Sequence, residues 1–507
     1  MDLMHLSAQN PWWKNPAAIR DDDKLKKLDD SLLKWSPWIL SELKFDRDRV
    51  YTIRGPRQVG KTTMVKIIIR ELLAKIEHSQ SVFYFTCDLV ADEKELFEVL
   101  ELYLDWAAAF RLDRKYIFLD EISSVRDWEK GLKYLVDTGA LKNSTVVLTG
   151  SHSIDIKSSI ERLPGRRGEG EGDGTLDKLF FPMKFSEYAE TLSSDLKLFM
   201  EAEGLIKGQK RQAVLSNLFE GKADPLMSML LLYQPELDRL FDRYLLTGGV
   251  PRPTNEFFSK NKIDSSIYEL YIQSLIGDLA RWNIPEMPVK QTLRSIFGKL
   301  TTPVSWRGIT DETDIGAHVT VQKYVTSLED SFVLNVLYPL DLPKKNASFK
   351  KEKKIYFQDP FIFHALRTWA SGLTDYFESS NLYLSSPDTR SKLVESVIHS
   401  NLVRYMYEKH PGDVFSPHDH IFYIKTDGGK KEVDFVLKEN GNKLLGIELK
   451  YQNRINSSDY RGLTSFESGY SFQKTNLISA VNMPQCLHLS FCCFCNFSLT
   501  VTCLWKF

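Results

Sequence analysis

The stretch GPRQVGKT at residues 55–62 decides the expected fold class, because it fits the pattern G-x-x-x-x-G-K-[ST]. It comes after the apolar run RVYTI at 49–53, and from about Thr62 onward apolar residues recur at helical spacing. In a strand–turn–helix unit of this kind, backbone N–H groups and the positive end of the helix dipole converge on one place, which suits an anion. The sequence therefore predicts a phosphate-binding loop. A glycine-rich turn without a ligand is the alternative.

The residues of this loop have separate expected roles. The Lys61 ammonium would reach the β- and γ-phosphates of a nucleotide, and the Thr62 hydroxyl would coordinate Mg²⁺. ATP and Mg²⁺ are therefore the expected cofactors. The nucleotide-binding residues predicted from the pattern are Gly55, Pro56, Arg57, Gln58, Val59, Gly60, Lys61, Thr62 and Thr63.

Three more apolar runs come after the loop and alternate with helix-period stretches. They are SVFYFTC at 81–87, KYIFLD at 115–120 and STVVLTG at 144–150. Strands that alternate with helices form βαβ units and a mostly parallel sheet. We therefore expect an α/β fold with a P-loop ATPase core built on a parallel sheet.

Polar residues at the ends of two of these runs complete the expected catalytic site. Asp120 would hold Mg²⁺ through its water shell, and Glu121 would be the general base that polarises the attacking water. At the end of the next run, Thr149 or Ser151 would sense the γ-phosphate. An acidic pair after a strand can instead cap a helix, and strand ends are often polar without a catalytic role.

A basic segment after the fourth run is a candidate source of an arginine finger, acting in cis or in trans. Its candidate residues are Arg162, Arg166 and Arg167, and of these we assign Arg166 to the catalytic site. The adjoining stretch GRRGEGEGDG at 165–174 is rich in glycine and predicts a surface loop. A solvated basic turn is the alternative.

The composition is that of a globular chain. Its 507 residues suggest about three domains, and 43% hydrophobic with 26% charged residues argue against wholesale disorder. The 66 Lys and Arg residues balance 67 Asp and Glu, so the net charge of −1 gives no global preference for nucleic acid or membrane. The N-terminus lacks the pattern of a secretory signal, and Cys87 is the one cysteine before residue 486. We expect a cytoplasmic location.

Changes of pattern divide the chain into six expected segments. They are a tryptophan-rich lead segment (1–45) that packs on the neighbouring core, the ATPase core (46–200), a helical lid region (201–285), a winged helix (286–365), a nuclease-like domain (385–480) and an atypical tail (481–507). The abrupt change of composition in the tail predicts an altered reading frame or a truncated gene end. An apolar terminal strand and a cysteine metal site are the alternatives.

The winged-helix prediction rests on helices followed by a strand pair with a charged turn. The candidate recognition helix offers Thr320, Gln322, Lys323 and Tyr324. The candidate wing offers Lys344, Lys345, Lys350, Lys351, Lys353 and Lys354. Clustered lysines neutralise phosphates, so DNA is the expected partner. A solvated charged turn and a protein-interaction module are the alternatives.

Asp434, Glu448 and Lys450 form a second candidate catalytic and metal site. Their D-x(n)-E-x-K arrangement is that of the PD-(D/E)xK nucleases, and strand alternation places Glu448 and Lys450 on one face. The two carboxylates would bind Mg²⁺, while the lysine would activate water and stabilise charge. Glu395, on the preceding helix, is a candidate third ligand. A degenerate site that binds without cleaving is the alternative.

Six short motifs together resemble the archaeal and bacterial AAA+-like P-loop ATPases that carry a C-terminal domain of unknown function. The motifs are NPWW (10–13), GPRQVGKTT (55–63), FLDEI (118–122), LTGS (148–151), PMKFSEY (182–188) and TGGVP (247–251). The resemblance implies an ATPase core, then a winged helix, then a restriction-endonuclease-like domain.

Taken together, the sequence predicts an ATPase that couples its nucleotide state to the winged-helix and nuclease-like half. A Mg²⁺-dependent DNA nuclease regulated by ATP is one alternative, and a non-catalytic ATP-dependent interaction switch is another. DNA, a protein partner and further copies of the chain in a homo-oligomer are the candidate partners. No membrane is expected.

Overall fold

The structure is a computed structural model that describes residues 1–151, 175–205, 210, 211, 213, 214, 217, 225–410, 415–425, 432–439, 444–451, 474–480 and 499–502. Within it the chain forms two compact units. The first unit is Met1–Phe181 with the short piece Asp330–Phe332. The second comprises Pro182–Glu329, Val333–His410 and the residues from Phe415 onward.

The first unit is built on a parallel sheet, as predicted, and a fifth strand joins the four predicted ones. Its strands lie in the order β2-β3-β4-β1-β5. Their bounds are β1 (Arg49–Arg54), β2 (Val82–Thr86), β3 (Lys115–Asp120), β4 (Ser144–Gly150) and β5 (Asp177–Leu179). The strands are almost wholly buried because a parallel sheet is covered on both faces. The α-helices of this unit are α1 (Leu3–Gln9), α2 (Asp23–Asp29), α3 (Lys61–Leu73), α4 (Glu93–Ala108) and α5 (Trp128–Asp137).

The lead segment covers the exposed edge of β2, which confirms that its tryptophans pack on the core. The Asn10 side chain accepts a hydrogen bond from Tyr84 N (2.7 Å) and donates one to Tyr84 O (2.9 Å). The indole N–H groups of Trp12 and Trp13 both donate to Val82 O, at 2.9 and 2.8 Å. An edge strand leaves backbone groups unpaired, and here side chains pair them in place of another strand.

The second unit begins with helices. They are α6 (Phe185–Leu192), α7 (Ser194–Ala202), α8 (Pro225–Leu230), α9 (Gln234–Thr247), α10 (Pro251–Lys260), α11 (Ser265–Arg281), α12 (Glu286–Gly298), α13 (Trp306–Thr310) and α14 (His318–Asp330). After α14 come the short strands β6 (Leu334–Leu337), β7 (Leu340–Asp341), β8 (Asn346–Ala347) and β9 (Lys354–Phe357). β6 pairs with β9, and β7 with β8, both antiparallel. The winged helix predicted for residues 286–365 stays a prediction.

A second helical group and a mixed sheet complete this unit. The helices are α15 (Pro360–Ser371), α16 (Tyr376–Ser385) and α17 (Pro387–Lys409). The strands are β10 (Ile421–Lys425), β11 (Glu432–Lys438), β12 (Leu444–Tyr451), β13 (Lys474–Ala480) and β14 (Leu499–Thr502). They lie in chain order across the sheet, and β12 and β13 are its parallel pair.

The motif TGGVP forms a turn that only glycine fits. A Cβ on Gly249 would lie 1.9 Å from Met183 O, and Gly248 has φ +63°. The buried Asp359 carboxylate accepts hydrogen bonds from Gly249 N (2.7 Å) and Phe361 N (2.8 Å). Burial raises the pKa of Asp359 to about 7. The turn after α9 is thereby fixed to the start of α15.

The motif PMKFSEY is explained by buried ion pairs between α6 and α17. Lys184 Nζ donates to Glu408 Oε1 at 2.8 Å, and the Arg404 guanidinium pairs with Glu187. Arg404 also donates to Pro182 O at 3.1 Å. A buried charge is tolerated only when it is paired, and these contacts join the start of α6 to α17.

Among the helices of the described residues, none combines the length and the apolar character needed to cross a membrane.

Candidate functional site

The loop between β1 and α3 has the backbone conformation of a phosphate cradle. Gln58 and Gly60 have positive φ values, +60° and +104°. Loops with such residues form concave surfaces of backbone N–H groups that bind anions. Gly55 is required by close packing, because a Cβ there would lie 2.1 Å from Phe180 O. Val59 is fully buried, and its side chain anchors the loop to the protein interior.

Lys61 lies across this cradle. Its Nζ donates to Gly55 O at 3.0 Å and to Pro56 O at 2.9 Å, and only 4% of the residue is exposed. The ammonium is thus held over this loop. A phosphate bound there would accept from the same ammonium, which is the role predicted for Lys61.

Asp120 connects the ends of three strands and the start of α3. Its Oδ2 accepts from Thr62 Oγ1 at 2.7 Å and from Tyr84 OH at 3.1 Å, and its Oδ1 accepts from Thr149 Oγ1 at 2.5 Å. These residues meet because β4 lies between β1 and β3, so the carboxyl ends of the strands share one edge. The Thr62 hydroxyl and the Asp120 carboxylate are the oxygen ligands that suit Mg²⁺.

Glu121 has the left-handed backbone conformation, with φ +54°, which costs a residue other than glycine about 1–2 kcal/mol. Its N–H donates to Thr149 Oγ1 at 3.1 Å, and its Oε2 accepts from Ser151 Oγ at 3.4 Å. The structure therefore joins both candidate sensor residues to the candidate base. Strain of this kind is concentrated at functional sites.

Tyr84 is a site residue that the sequence did not reveal. It lies within the apolar run of β2, and its hydroxyl reaches Asp120 only because β2 and β3 are neighbours. Burial raises the pKa of Tyr84, so the hydroxyl remains a donor to the carboxylate. Arg166, with Arg162 and Arg167, lies outside the described residues, and its finger role stays a prediction.

In the second unit, Asp434 and Glu448 lie opposite each other on β11 and β12, one position beyond the Phe435–Ile447 pair. Asp434 Oδ2 accepts from Leu449 N at 2.8 Å. Lys450 Nζ lies 2.6 Å from Glu448 Oε1, so these two residues do share a face. Burial, ahead of the nearby Asp434 charge, raises the pKa of Glu448 to about 8.

Glu395 joins this group from α17, and it does so through Lys354 of β9. Lys354 Nζ lies 2.6 Å from Glu432 Oε1, 3.4 Å from Asp434 Oδ1 and 3.5 Å from Glu395 Oε1. Burial acts to lower the pKa of Lys354, but the surrounding negative groups outweigh it and keep that pKa well above its usual range. We call Glu395, Glu432, Asp434 and Glu448 the acidic site.

Three residues assigned to the nucleic-acid surface are in fact buried, so that part of the prediction is wrong. Lys354 lies in the acidic site, and Lys353 Nζ lies 4.3 Å from the centre of the Trp306 ring. Tyr324, on α14, is buried as well. The remaining wing lysines, Lys344, Lys345, Lys350 and Lys351, are exposed, as are Gln322 and Lys323.

Three stretches of the chain match family models. Residues 47–189 match the family model of an AAA domain. Residues 238–374 and 390–489 match two domains of unknown function, DUF8612 and DUF4143. An uncharacterized protein of Methanocaldococcus jannaschii is 23% identical over 350 residues, which are 68% of this chain and 67% of that protein.

Two solved structures are similar at 14% identity. The Walker-type ATPase of Pyrococcus abyssi covers 68% of this chain and 95% of its own, with a TM-score of 0.36. The ORC1 protein of Aeropyrum pernix, solved in complex with DNA, covers 71% of this chain and 96% of its own, with a TM-score of 0.29.

The fold, the loop geometry and the family match define the class of the first unit, which is an AAA-type P-loop ATPase-like domain. The chain continues from it into domains of unknown function, the last of which holds the acidic site. The resemblance inferred from the six motifs is therefore confirmed.

Proposed function

We propose that this protein binds Mg-ATP at residues 55–62 and hydrolyses it with Glu121 as the general base. The observation that carries the proposal is the hydrogen bond from Thr62 to Asp120, beside a lysine held over the phosphate cradle. Thr62, at the start of α3, and Asp120, at the end of β3, both suit Mg²⁺, and the fold brings them into contact. Such preorganisation reduces the cost of binding.

Each of the site residues has one role in the proposed reaction. Lys61 and the loop N–H groups hold the β- and γ-phosphates, and Mg²⁺, when bound, offsets their negative charge. Glu121 accepts a proton from water as the water oxygen bonds to the γ-phosphorus and the bond to ADP breaks. Ser151 donates to the Glu121 carboxylate and Thr149 accepts from the Glu121 N–H, so these two residues hold the base in position.

The proposed coupling between the nucleotide site and the C-terminal half rests on the segment that connects β5 to α6. β5 ends at Leu179, and α6 begins at Phe185 with the Lys184 and Glu187 pairs to α17. A displacement of this connection would act on α17, which carries Glu395 of the acidic site. We propose that the nucleotide state is passed to the C-terminal half by this route.

Phosphate release from ATP tests the hydrolysis proposal. It is followed for the wild-type chain and for Glu121→Gln, which removes the base while keeping the shape of the side chain.

A second candidate function, DNA binding by the winged-helix segment, is favoured by its four exposed wing lysines. Each phosphate contact releases a bound counterion, so affinity should fall steeply with salt. Lys344→Gln, Lys345→Gln and Lys350→Gln together should reduce the slope of log affinity against log salt by about three units. The measurement is fluorescence anisotropy of a labelled duplex at several salt concentrations.

The control for this prediction carries the same charge change on exposed lysines of the first unit, namely Lys24→Gln, Lys27→Gln and Lys75→Gln. It should leave the slope unchanged. If the wild-type chain shows no binding, or binding that salt does not weaken, the segment is a protein-interaction module instead.

A further inference from the structure

The lead segment (1–45) reaches the nucleotide site of the first unit through Tyr84 of β2. Tyr84 is 7% exposed, and the Asn10 side chain pairs both its backbone N–H and its C=O, at 2.7 and 2.9 Å. The Tyr84 hydroxyl donates to Asp120 Oδ2 at 3.1 Å. One end of this residue is therefore bonded to the lead segment, and the other end to the carboxylate that would face Mg²⁺.

Lys66 of α3 lies over the ring of Tyr84. It is 6% exposed, and its Nζ is 3.4 Å from the centre of that ring and 3.4 Å from Asp22 Oδ2. Asp22 belongs to the lead segment, where its Oδ1 caps α2 by accepting from Lys24 N at 2.9 Å. An ammonium over an aromatic face is attracted to it. The lead segment thus contacts Tyr84 through this ammonium as well as through Asn10.

Tyr84 has the contacts of a residue that orients Asp120. Its hydroxyl donates to the same carboxylate oxygen as Thr62 does, while Thr149 donates to the other oxygen. A carboxylate that accepts hydrogen bonds on both oxygens is held in one orientation. Outer partners of this kind typically change the affinity of a metal site about 10–100-fold when they are removed.

We propose that Tyr84 is a positioning residue that holds the Asp120 carboxylate in the orientation that faces Mg²⁺, and that the lead segment holds Tyr84 through Lys66 and Asn10. The lead segment is thus part of the nucleotide site. Loosening it weakens the response to Mg²⁺ without removing a group that touches the nucleotide. This inference rests on the Mg-ATP binding proposed above.

The test compares nucleotide binding with and without the metal. The dissociation constant of the fluorescent analogue mant-ATP is measured for the full chain in EDTA and in excess Mg²⁺. We call the ratio of the first constant to the second the Mg²⁺ effect. A change that merely loosens the nucleotide pocket raises both constants and leaves this ratio the same, whereas a change that misplaces Asp120 lowers the ratio.

Tyr84→Phe removes the hydroxyl alone and should reduce the Mg²⁺ effect about tenfold. Tyr103 provides the matched control, because it is fully buried in the same unit and its hydroxyl donates to Gln80 O and Ser81 O, both at 3.2 Å. Tyr103→Phe removes the same atom from a buried tyrosine with other partners. It should leave the Mg²⁺ effect at the wild-type value.

Asp22→Asn tests the link to the lead segment. Asparagine still caps a helix, but it lacks the charge that holds the Lys66 ammonium over Tyr84. The Mg²⁺ effect should fall about threefold. The control is Asp29→Asn, since Asp29 joins the same two helices by pairing with Arg70 at 3.0 Å. This second change should leave the Mg²⁺ effect unaltered.

Three results would overturn the inference. They are an equal Mg²⁺ effect in the wild type and in folded Tyr84→Phe, equal losses in Tyr84→Phe and Tyr103→Phe, and an Asp22→Asn chain that behaves like Asp29→Asn. If Tyr84→Phe fails to fold, the comparison of the two aspartate variants decides. A wild-type chain that does not bind mant-ATP, or binds it without a Mg²⁺ effect, contradicts the proposed function itself, and the role of Tyr84 falls with it.

Discussion

Lys61→Ala should abolish useful ATP binding, with the dissociation constant raised about 100-fold or more. The ammonium is buried over the phosphate cradle, and it would make charge-assisted hydrogen bonds to the β- and γ-phosphates. Each such bond contributes about 1.5–3 kcal/mol, so the loss of two accounts for the expected change. Isothermal titration calorimetry with Mg-ATP measures it.

The control is Lys75→Ala, since this lysine is exposed just beyond the end of α3. It should bind ATP as the wild type does. If Lys61→Ala retained the wild-type dissociation constant in a folded chain, the phosphates would have to bind elsewhere.

Asp120→Asn should reduce phosphate release about 100-fold or more while the chain stays folded. Asp120 is 3% exposed, and its two oxygens accept from the hydroxyls of Thr62, Tyr84 and Thr149. Asparagine keeps the shape but removes the negative charge, and its amide NH₂ cannot accept from a hydroxyl or coordinate Mg²⁺. Loss of one preorganised charge in a phosphoryl-transfer site typically has an effect of this size.

Steady-state phosphate release measures this loss, and the thermal midpoint shows whether the variant is folded. Asp105→Asn, an exposed change of the same kind on α4, should leave turnover at the wild-type value. Turnover by Asp120→Asn within about threefold of the wild type would remove Asp120 from the catalytic site.

The sequence predicts much of the first unit because its signals are local. The pattern at residues 55–62 predicts a turn from eight residues alone. Each of the four apolar runs, which become β1 to β4, predicts a strand in the same local way. The position of Asp120 at the end of β3 is evident from the same runs. Local patterns therefore suffice to place the principal residues of the candidate nucleotide site.

Contacts that depend on the order of strands in the sheet cannot be predicted from local sequence patterns. Chain order does not say that β4 lies between β1 and β3, yet this order brings Thr149 to Asp120. Tyr84 looks like any aromatic residue of a buried strand until β2 is placed beside β3.

Lys354 shows how a charged stretch can mislead. It belongs to KKNASFKKEKKIYF at 344–357, where a solvated turn or a phosphate contact is the natural interpretation. The strand pairing of β9 and the neighbouring α17 instead bury it against carboxylates that are 41–80 residues away in the chain. The one local signal is the alternation of Lys354 and Tyr356 on one face of the strand.

Phosphate release by Glu121→Gln, measured beside its ATP dissociation constant, tests most directly whether this protein is an ATPase that uses the proposed base. Glutamine fits the same left-handed backbone and can still contact Ser151, but it cannot accept a proton from water. We predict an unchanged dissociation constant, steady release by the wild type, and release by the variant about 100-fold slower. Equal release by the two chains, or none by a wild-type chain that binds Mg-ATP, would contradict the account.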